Sequence, residues 1–294
     1  MRKVLKRVGI ALGVLLVALV IAGAGFAMNG RSRLSAKYET KHALAAAPSD
    51  VARGEHVMRT RGCVDCHGDN LEGKLMMDMP LGRFSAPNLT SGRGGVGSQY
   101  RTVADWDRAV RHGVRPNGEW IAPFMPYTLY HNLSDADAAA LATYLASLKP
   151  IDNTPPSRLL RVPGYVAMGV PGDGPPKYFA MIEGAHLAEP ARGTTPAYGK
   201  YLASSTCVEC HGADLQGGKH PDPAGPRAPS LQPAGRWTRA ELATLLREGR
   251  RPNGIEVSHW MPSKRVFRHF DDEEIGAIHA YLASLPAPAA IASR

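Results

Sequence analysis

The chain is poor in cysteine: its 294 residues include four, and all four lie in two short motifs. Residues 63–67 read CVDCH, and residues 207–211 read CVECH. Because no cysteine lies elsewhere, none remains for a structural disulfide or for a thiolate axial ligand outside the motifs. Any cysteine chemistry of the chain therefore takes place in these motifs, where two cysteines precede a histidine.

Charged residues are absent from residues 8–28, an apolar run of 21 residues. A helix of this length crosses about 30 Å of hydrocarbon, and the run is longer than the usual core of a signal peptide. We therefore predict that residues 1–30 form an uncleaved signal anchor with a transmembrane helix. Cleavage after the small residues at positions 22–27 is the alternative.

Acidic residues are scarce near the N-terminus, where residues 1–41 contain eight basic residues and one acid, Glu39. This segment holds +7 of the formal net charge of +9, which leaves +2 for the rest of the chain. Basic charge beside an apolar run indicates membrane topology rather than a nucleic-acid-binding surface. The basic residues are nearly equal in number on the two sides of the run, so they do not fix its orientation.

The rest of the chain contains one unit twice. CVDCHGDNLEGK returns 144 residues later as CVECHGADLQGGK, APNL returns as APSL, and RPNG and YLASL recur unchanged. This order predicts a tandem duplication of one domain type. The predicted organisation is a tether at 31–50, a first domain at 51–149, a connector rich in Pro and Gly at 150–196, a second domain at 197–286 and a tail at 287–294.

Helix caps occur at matching places in the two copies. In each copy a threonine is followed three residues later by an acid, a pattern typical of a helix N-terminus, and a glycine then ends the helix. A further cap precedes the last helix of each copy. We predict an all-α fold class, with three or four short helices per domain and few strands. The predicted caps are Thr102 with Asp105, Thr238 with Glu241, Ser134 with Asp137 and Asp271 with Glu274, and the predicted stops are Gly113 and Gly249.

Three kinds of chemistry use paired cysteines, and spacing separates them. A zinc ribbon needs its second CxxC pair about 15 to 20 residues downstream, whereas these pairs are 144 residues apart. A thioredoxin-like pair lies beside a βαβ pattern, which neither motif has, and does not account for the histidine. CxxCH is the attachment signature of c-type haem. The sequence therefore predicts two covalently attached haem c groups, one at Cys63, Cys66 and His67 and one at Cys207, Cys210 and His211.

The sixth iron ligand must come from farther along the chain, because a small helical domain closes over the haem from its distal side. Met125 and Met261 each lie ten residues after the arginine of an RPNG, and each precedes a proline. His259 has no aligned histidine in the first copy. We therefore predict Met125 as the iron ligand opposite His67, and Met261 as the ligand opposite His211.

Each half resembles a class I-type cytochrome c domain. The pair resembles the membrane-anchored dihaem cytochromes that serve as electron-transfer subunits beside periplasmic dehydrogenases. The family pattern GPNL stands here as APNL at 86–89 and APSL at 228–231. The resemblance implies that the carbonyl groups of Pro87 and Pro229 accept the ring N–H of the haem histidines.

The resemblance also implies how the helices of each domain pack. It matches the glycine of the first helix with an aromatic residue of the last, Gly54 with Tyr144 and Gly199 with Tyr281. Cytochrome subunits of dehydrogenases often carry three haems, whereas this chain has two motifs. The arginine and asparagine of each RPNG could bond haem propionates or form a polar turn.

A haem with both axial positions filled passes single electrons and binds no substrate. The sequence therefore predicts an electron carrier and not an enzyme. The resemblance implies that it relays electrons from a periplasmic dehydrogenase or quinol-oxidising complex to a soluble cytochrome or terminal oxidase. Haem attachment takes place outside the bacterial inner membrane, which places both domains in the periplasm. The alternatives are a dihaem peroxidase-like oxidoreductase and a dihaem subunit of a respiratory terminal oxidase.

Overall fold

The structure, a computed structural model, describes residues 2–39, 44, 50–121, 125–171, 186–220 and 224–286. The predicted tail at 287–294 lies outside these residues, as do parts of the predicted tether and connector. Within the described residues helices predominate and strands are few, which confirms the predicted fold class.

Helix α1 (Arg2–Ser35) contains the apolar run. Among the described residues it is the one helix long and apolar enough to cross a membrane, and its most apolar window is not buried by the rest of the chain. An N-terminal signal sequence would meet the same criteria. The first five residues of the predicted tether, RSRLS, are helical because they contain no proline or glycine to end α1.

The first repeat folds as short helices around one hydrophobic core. Trp106, Leu133 and Leu141 are buried in this core. The helices are α2 (Val51–Thr60), α3 (Cys63–His67), α4 (Val103–His112), α5 (Tyr127–Tyr130) and α6 (Asp135–Ala146).

A small sheet and a further helix adjoin the first repeat. Strand β1 (Lys74–Met79) pairs antiparallel with β2 (Gly82–Ala86), which pairs antiparallel with β3 (Leu159–Leu160). Helix α7 (Val162–Gly169) follows. Both β3 and α7 lie in the segment that we predicted as a connector rich in Pro and Gly. The helix VPGYVAMG lacks a polar face that would reveal its period, because it packs between α1 and the first repeat.

The second repeat forms a core of its own from α8 (Pro196–Ser204), α9 (Val208–His211), α10 (Arg239–Glu248) and α11 (Asp272–Ser284). Its buried residues include Leu242, Phe270 and Ile275.

The predicted helix caps are confirmed in both repeats. Capping boxes begin α4, α10 and α11, and the Ser134 hydroxyl accepts a hydrogen bond from the backbone N–H of Asp137 at the start of α6. Helices α4 and α10 end at Gly113 and Gly249, whose φ angles of 70° and 72° lie in the left-handed region that glycine adopts without strain.

Glycine lets the first and last helices of each repeat cross closely. A Cβ on Gly54 would lie 2.1 Å from the carbonyl oxygen of Ala140 and 2.7 Å from the Cβ of Tyr144. A Cβ on Gly199 would lie 2.8 Å from the Cβ of Tyr281. Any side chain at these positions would therefore push the helices apart, which explains the pairing that the resemblance implied.

The two repeats are joined by buried polar contacts. The Tyr201 hydroxyl of α8 donates to Asp137 Oδ2 of α6 at 2.6 Å and accepts from the backbone N–H of Ser134 at 3.0 Å. Nearby, His56 of α2 lies 2.8 Å from Oε1 of Glu274 in α11, a carboxylate whose side chain is 2% exposed. Because a different docking of the repeats would leave these groups buried without partners, the contacts favour one fixed arrangement.

Candidate haem sites

Each CxxCH motif forms a short helix held between glycines or near them. Gly62, with φ of 76°, precedes α3, and Gly68, with φ of 86°, follows it. Gly212, with φ of 80°, ends α9 in the same way. Residues three apart lie on one face of a helix, so the two thiols of each motif face the same side. This arrangement suits attachment to two vinyl groups of one macrocycle.

The ring of each motif histidine is fixed by a proline carbonyl group. His67 Nδ1 lies 2.9 Å from the carbonyl oxygen of Pro87, and His211 Nδ1 lies 2.8 Å from that of Pro229. Burial lowers the pKa of both imidazoles, so both are neutral at pH 7. A neutral ring that donates from Nδ1 presents the lone pair of Nε2, which is the atom that an iron ion would bind.

The four motif cysteines are partly buried, and no two of them form a disulfide. Burial raises the pKa of Cys63 to about 12 and that of Cys210 to about 11. Thioredoxin-like exchange needs a thiolate near neutral pH, which forms where the surroundings lower the thiol pKa. The raised pKa values therefore do not favour thioredoxin-like exchange, whereas two thiols on one face of a short helix fit thioether attachment.

The structure places each candidate methionine on the same core as its own motif. Met125 packs against the first hydrophobic cluster together with Cys63. Met261 packs against the second cluster together with Cys207. By contrast, Met76 and Met79, which have no counterpart in the second copy, are exposed on β1.

The sequence missed a matched pair of leucines that supports both sites. Leu71 and Leu215 adopt left-handed backbone conformations, with φ of 61° and 58°, although the residue type disfavours them. Both side chains are fully buried, and their carbonyl groups accept the backbone N–H of Leu89 and Leu231, two residues after the prolines. Their recurrence in NLEG and DLQG was the available signal, but it does not show conformation.

The RPNG segments form tight turns in both copies. Asn117 accepts the backbone N–H of Glu119 at 3.0 Å, and Asn253 accepts that of Ile255 at 3.1 Å, so both asparagines shape the turn. Arg115 differs, because its Nε is buried without an acceptor in the described residues. Trp106 Nε1 is also buried, and no described residue accepts its hydrogen. Two buried donors without acceptors fit the carboxylate of a haem propionate.

The two motifs lie against each other across the junction of the repeats. Val208, within the second motif, packs on the core of the first repeat. Arg265, four residues after Met261, donates from Nε to Asp65 Oδ1 of the first motif at 2.6 Å. The junction therefore brings the two candidate haem sites together.

Comparison with known proteins decides the family. A family model of cytochrome c matches residues 51–149 and 196–286, which is more than half of the chain. The chain belongs to the cytochrome c family. This cytochrome is 27% identical over 278 residues to the fructose dehydrogenase cytochrome subunit of Gluconobacter japonicus, covering 85% of the chain and 55% of that protein.

Two further relatives match most of the chain. This cytochrome is 29% identical over 273 residues to a diheme cytochrome c-type protein of Cereibacter sphaeroides, covering 83% of the chain and 88% of the relative. It is 30% identical over 275 residues to the gluconate 2-dehydrogenase cytochrome c subunit of Pantoea cypripedii, covering 81% and 60%. The chain thus spans 55% of the fructose dehydrogenase subunit and 60% of the gluconate 2-dehydrogenase subunit.

Taken with the paired motifs, these relationships establish the cofactor and the general role. The chain carries two covalently attached haem c groups and transfers electrons through them. In this role the chain is an electron carrier.

Proposed function

We propose that this cytochrome is anchored in the bacterial inner membrane by α1 and relays single electrons in the periplasm. Electrons come from a dehydrogenase or quinol-oxidising complex and pass to a soluble cytochrome or terminal oxidase. The observation that carries this proposal is the pair of neutral histidines, each fixed by a proline carbonyl group and each accompanied by a methionine on the core of its own repeat.

The proposal assigns each ligand by its place in the repeat. Cys63 and Cys66 hold the first haem, whose iron is bound by Nε2 of His67 and the sulfur of Met125. In the second site these roles fall to the matching residues. They are Cys207, Cys210, His211 and Met261.

The haem groups supply the one-electron couples, and the chain controls their surroundings. Pro87 and Pro229 orient the histidine rings and increase their basicity, which tunes the iron. The thioether sulfur of methionine favours Fe(II) and raises the reduction potential. The buried cores exclude water from the sites. The contact of Val208 with the first core supports a short path for electrons between the two sites.

A dehydrogenase as the upstream partner is supported by the printed names of several relatives. A shorter match, 32% identical over 108 residues and covering 36% of the chain, is to the Cbb3-type cytochrome c oxidase subunit CcoP of Rhodobacter capsulatus. It favours the terminal-oxidase subunit as the second candidate. Purification from the native membrane in mild detergent separates the two, because a flavin- or quinone-dependent dehydrogenase or a copper-containing oxidase would accompany the cytochrome.

The ligand assignment is tested by a redox titration of the purified haem-loaded chain, followed by its visible spectrum. We expect two one-electron couples and, for both ferric haems, the weak far-red band that marks methionine bound to iron. We also expect no binding of carbon monoxide without denaturant. A haem that lacks the band and binds carbon monoxide would have an accessible iron position, which contradicts the relay and favours the peroxidase-like alternative.

A further inference from the structure

Outside α1, the exposed large hydrophobic residues are concentrated in one part of the described chain. Of eleven such residues, seven lie in β1, the turn that follows it, β3 and the two ends of α7. We call these seven residues the apolar patch. They are Leu75, Met76, Met79, Leu81, Leu159, Val162 and Val170. Clusters of this kind on a folded protein mark contact with a partner or a membrane.

The second repeat shows that the cytochrome fold does not require the apolar patch. Between the haem motif and Pro87, the first repeat reads KLMMDMPLGRFSA at 74–86. The corresponding stretch of the second repeat reads KHPDPAGPRA at 219–228. The duplicate has polar residues, proline and glycine where the first repeat has leucine and methionine. The apolar residues therefore serve a role that belongs to the first repeat alone.

The apolar patch is joined directly to the transmembrane helix. A Cβ on Gly169 of α7 would lie 1.8 Å from the carbonyl oxygen of Phe26, and Asn29 Nδ2 donates to the carbonyl oxygen of Gly169 at 2.8 Å. A Cβ on Gly164 would lie 2.1 Å from the carbonyl oxygen of Leu81, in the turn after β1. The contacts place α7 and the sheet beside the last turns of the apolar run of α1.

The charges around the apolar patch suit a lipid surface. Asp78, the one acidic residue in strands β1 to β3, forms an ion pair with Arg161 at 2.8 Å and lies 3.8 Å from Arg83. Arg31 and Arg33 extend the basic character along the last turns of α1. Basic side chains at the edge of an apolar surface bind phospholipid head groups while the apolar residues enter the interface.

We propose that β1, β3 and α7 form a second contact with the bilayer that α1 crosses, with the apolar patch in the head-group region. The contact fixes how the first haem domain is tilted over the membrane. The inference rests on the proposed anchoring by α1, and it concerns an interface that the electron-relay function does not itself require.

The test measures lipid contact at single positions of the full haem-loaded chain. Thioether bonds occupy the four native cysteines, so one introduced cysteine is the sole thiol for a spin label. We would label Val162→Cys and Met76→Cys, with Ile255→Cys of the second repeat as the exposed control. Leu16→Cys in α1 reports the anchoring. The protein is placed in vesicles of phosphatidylethanolamine and phosphatidylglycerol, and relaxation by oxygen is compared with relaxation by a water-soluble nickel chelate.

We expect the ratio of oxygen to nickel relaxation to be several-fold higher at Val162→Cys and Met76→Cys than at Ile255→Cys. Equal ratios at the three positions, with a lipid-like label at Leu16→Cys, would overturn the second contact while leaving the anchor intact. A water-like label at Leu16→Cys would instead overturn the anchoring. A patch that is accessible to nickel in vesicles but protected when the dehydrogenase is added would be a protein-docking surface, and the lipid contact would be wrong.

Discussion

The methionines that we propose as iron ligands are the residue-scale feature with the largest expected effect on function. If Met261 binds the iron, its replacement by histidine substitutes a harder nitrogen ligand and retains six-coordinate iron. We expect the potential of one haem to fall by on the order of 0.1 V or more, within the ~0.8 V range over which axial ligands set haem potentials. The far-red band of that haem should disappear, as a spectroscopic redox titration would show.

Met168→Leu is the matched control for this substitution, because Met168 is buried but packs away from both motifs with Trp120 and Tyr127. It should leave both couples and the band unchanged. If Met261→His also leaves them unchanged, the sulfur of Met261 does not bind the iron.

A second residue-scale prediction concerns His131, whose ring lies 4.5 Å from that of His186 and 5.6 Å from that of His112, measured between centroids. Burial, followed by the two neighbouring histidines, lowers the pKa of His131 to about 4. At pH values between about 4, the folded pKa, and about 6.5, the unfolded pKa, the unfolded chain binds a proton at this residue that the folded chain does not. Stability should therefore fall as the pH falls from 6.5 towards 4.

The check is denaturant unfolding of the haem-loaded chain at pH 7 and pH 5. His131→Gln should lose less stability between the two values than the unmodified chain, with a reduced difference because the ring is partly exposed. Equal pH dependence for the variant and the unmodified chain would show that burial does not lower the pKa of His131.

Sequence reasoning succeeded for residues whose chemistry is local. The CxxCH spacing itself carries the haem assignment, whereas the choice of two methionines by the repeat stays a prediction. Leu71 and Leu215 were missed because a left-handed leucine is produced by the tertiary packing around it and leaves no mark on composition. The sequence left open whether Arg115 bonds a haem propionate or shapes a turn, because only the tertiary structure shows that its Nε is buried.

At the scale of helices and strands, the close crossing of the first and last helices limits what each repeat tolerates. Gly54→Ala would bring a methyl group within 2.1 Å of a backbone oxygen that cannot rotate away. We expect a loss of about 3 kcal/mol, the upper part of the range for overpacking. Denaturant unfolding of the haem-loaded chain in detergent measures it.

Gly13→Ala in α1 is the control for this substitution, because a Cβ there would meet nothing within 4 Å. It should change stability by less than about 0.5 kcal/mol. A loss of the same size for both variants would mean that the crossing is not the cause.

Helix boundaries followed from the sequence wherever a cap or a glycine stop marked them. Helix α7 and the sheet did not, because their apolar residues show neither helical period nor strict alternation. β1 also contains a bulge between Leu75 and Met77, which disrupts the period of two that identifies a strand. The partner that defines α7 is α1, more than a hundred residues away in the chain, and no local pattern records such a contact.

At the scale of the whole molecule, the junction of the repeats makes the two haem sites one unit. Tyr201→Phe would remove the hydroxyl that Asp137 and Ser134 share while leaving the ring in place. Because a buried carboxylate would lose a donor, we expect the chain to lose about 1 to 3 kcal/mol. Calorimetry should show the two repeats beginning to unfold separately.

Tyr198→Phe is the matched control, since Tyr198 is a neighbouring buried tyrosine of α8 with no hydrogen bond from its hydroxyl group within the described residues. It should preserve a single transition. Two separate transitions in the unmodified chain would already contradict a common unit. The sequence predicted two domains but not their docking, because complementary surfaces formed by distant residues have no motif.

If α1 spans the membrane as we propose, the packing of α7 on α1 also determines how the carrier meets its partners. Asn29 of α1 is bonded to Gly169 of α7, and Lys37, just after α1, forms an ion pair with Glu119 of the first repeat at 3.1 Å. A haem domain held in this way keeps one orientation relative to the bilayer, whereas a domain on a flexible tether would adopt many. Encounters with other membrane-bound proteins become collisions in a plane. The frequency of electron delivery then depends on how many carriers share a given area of lipid, and diluting the surrounding buffer leaves it unchanged.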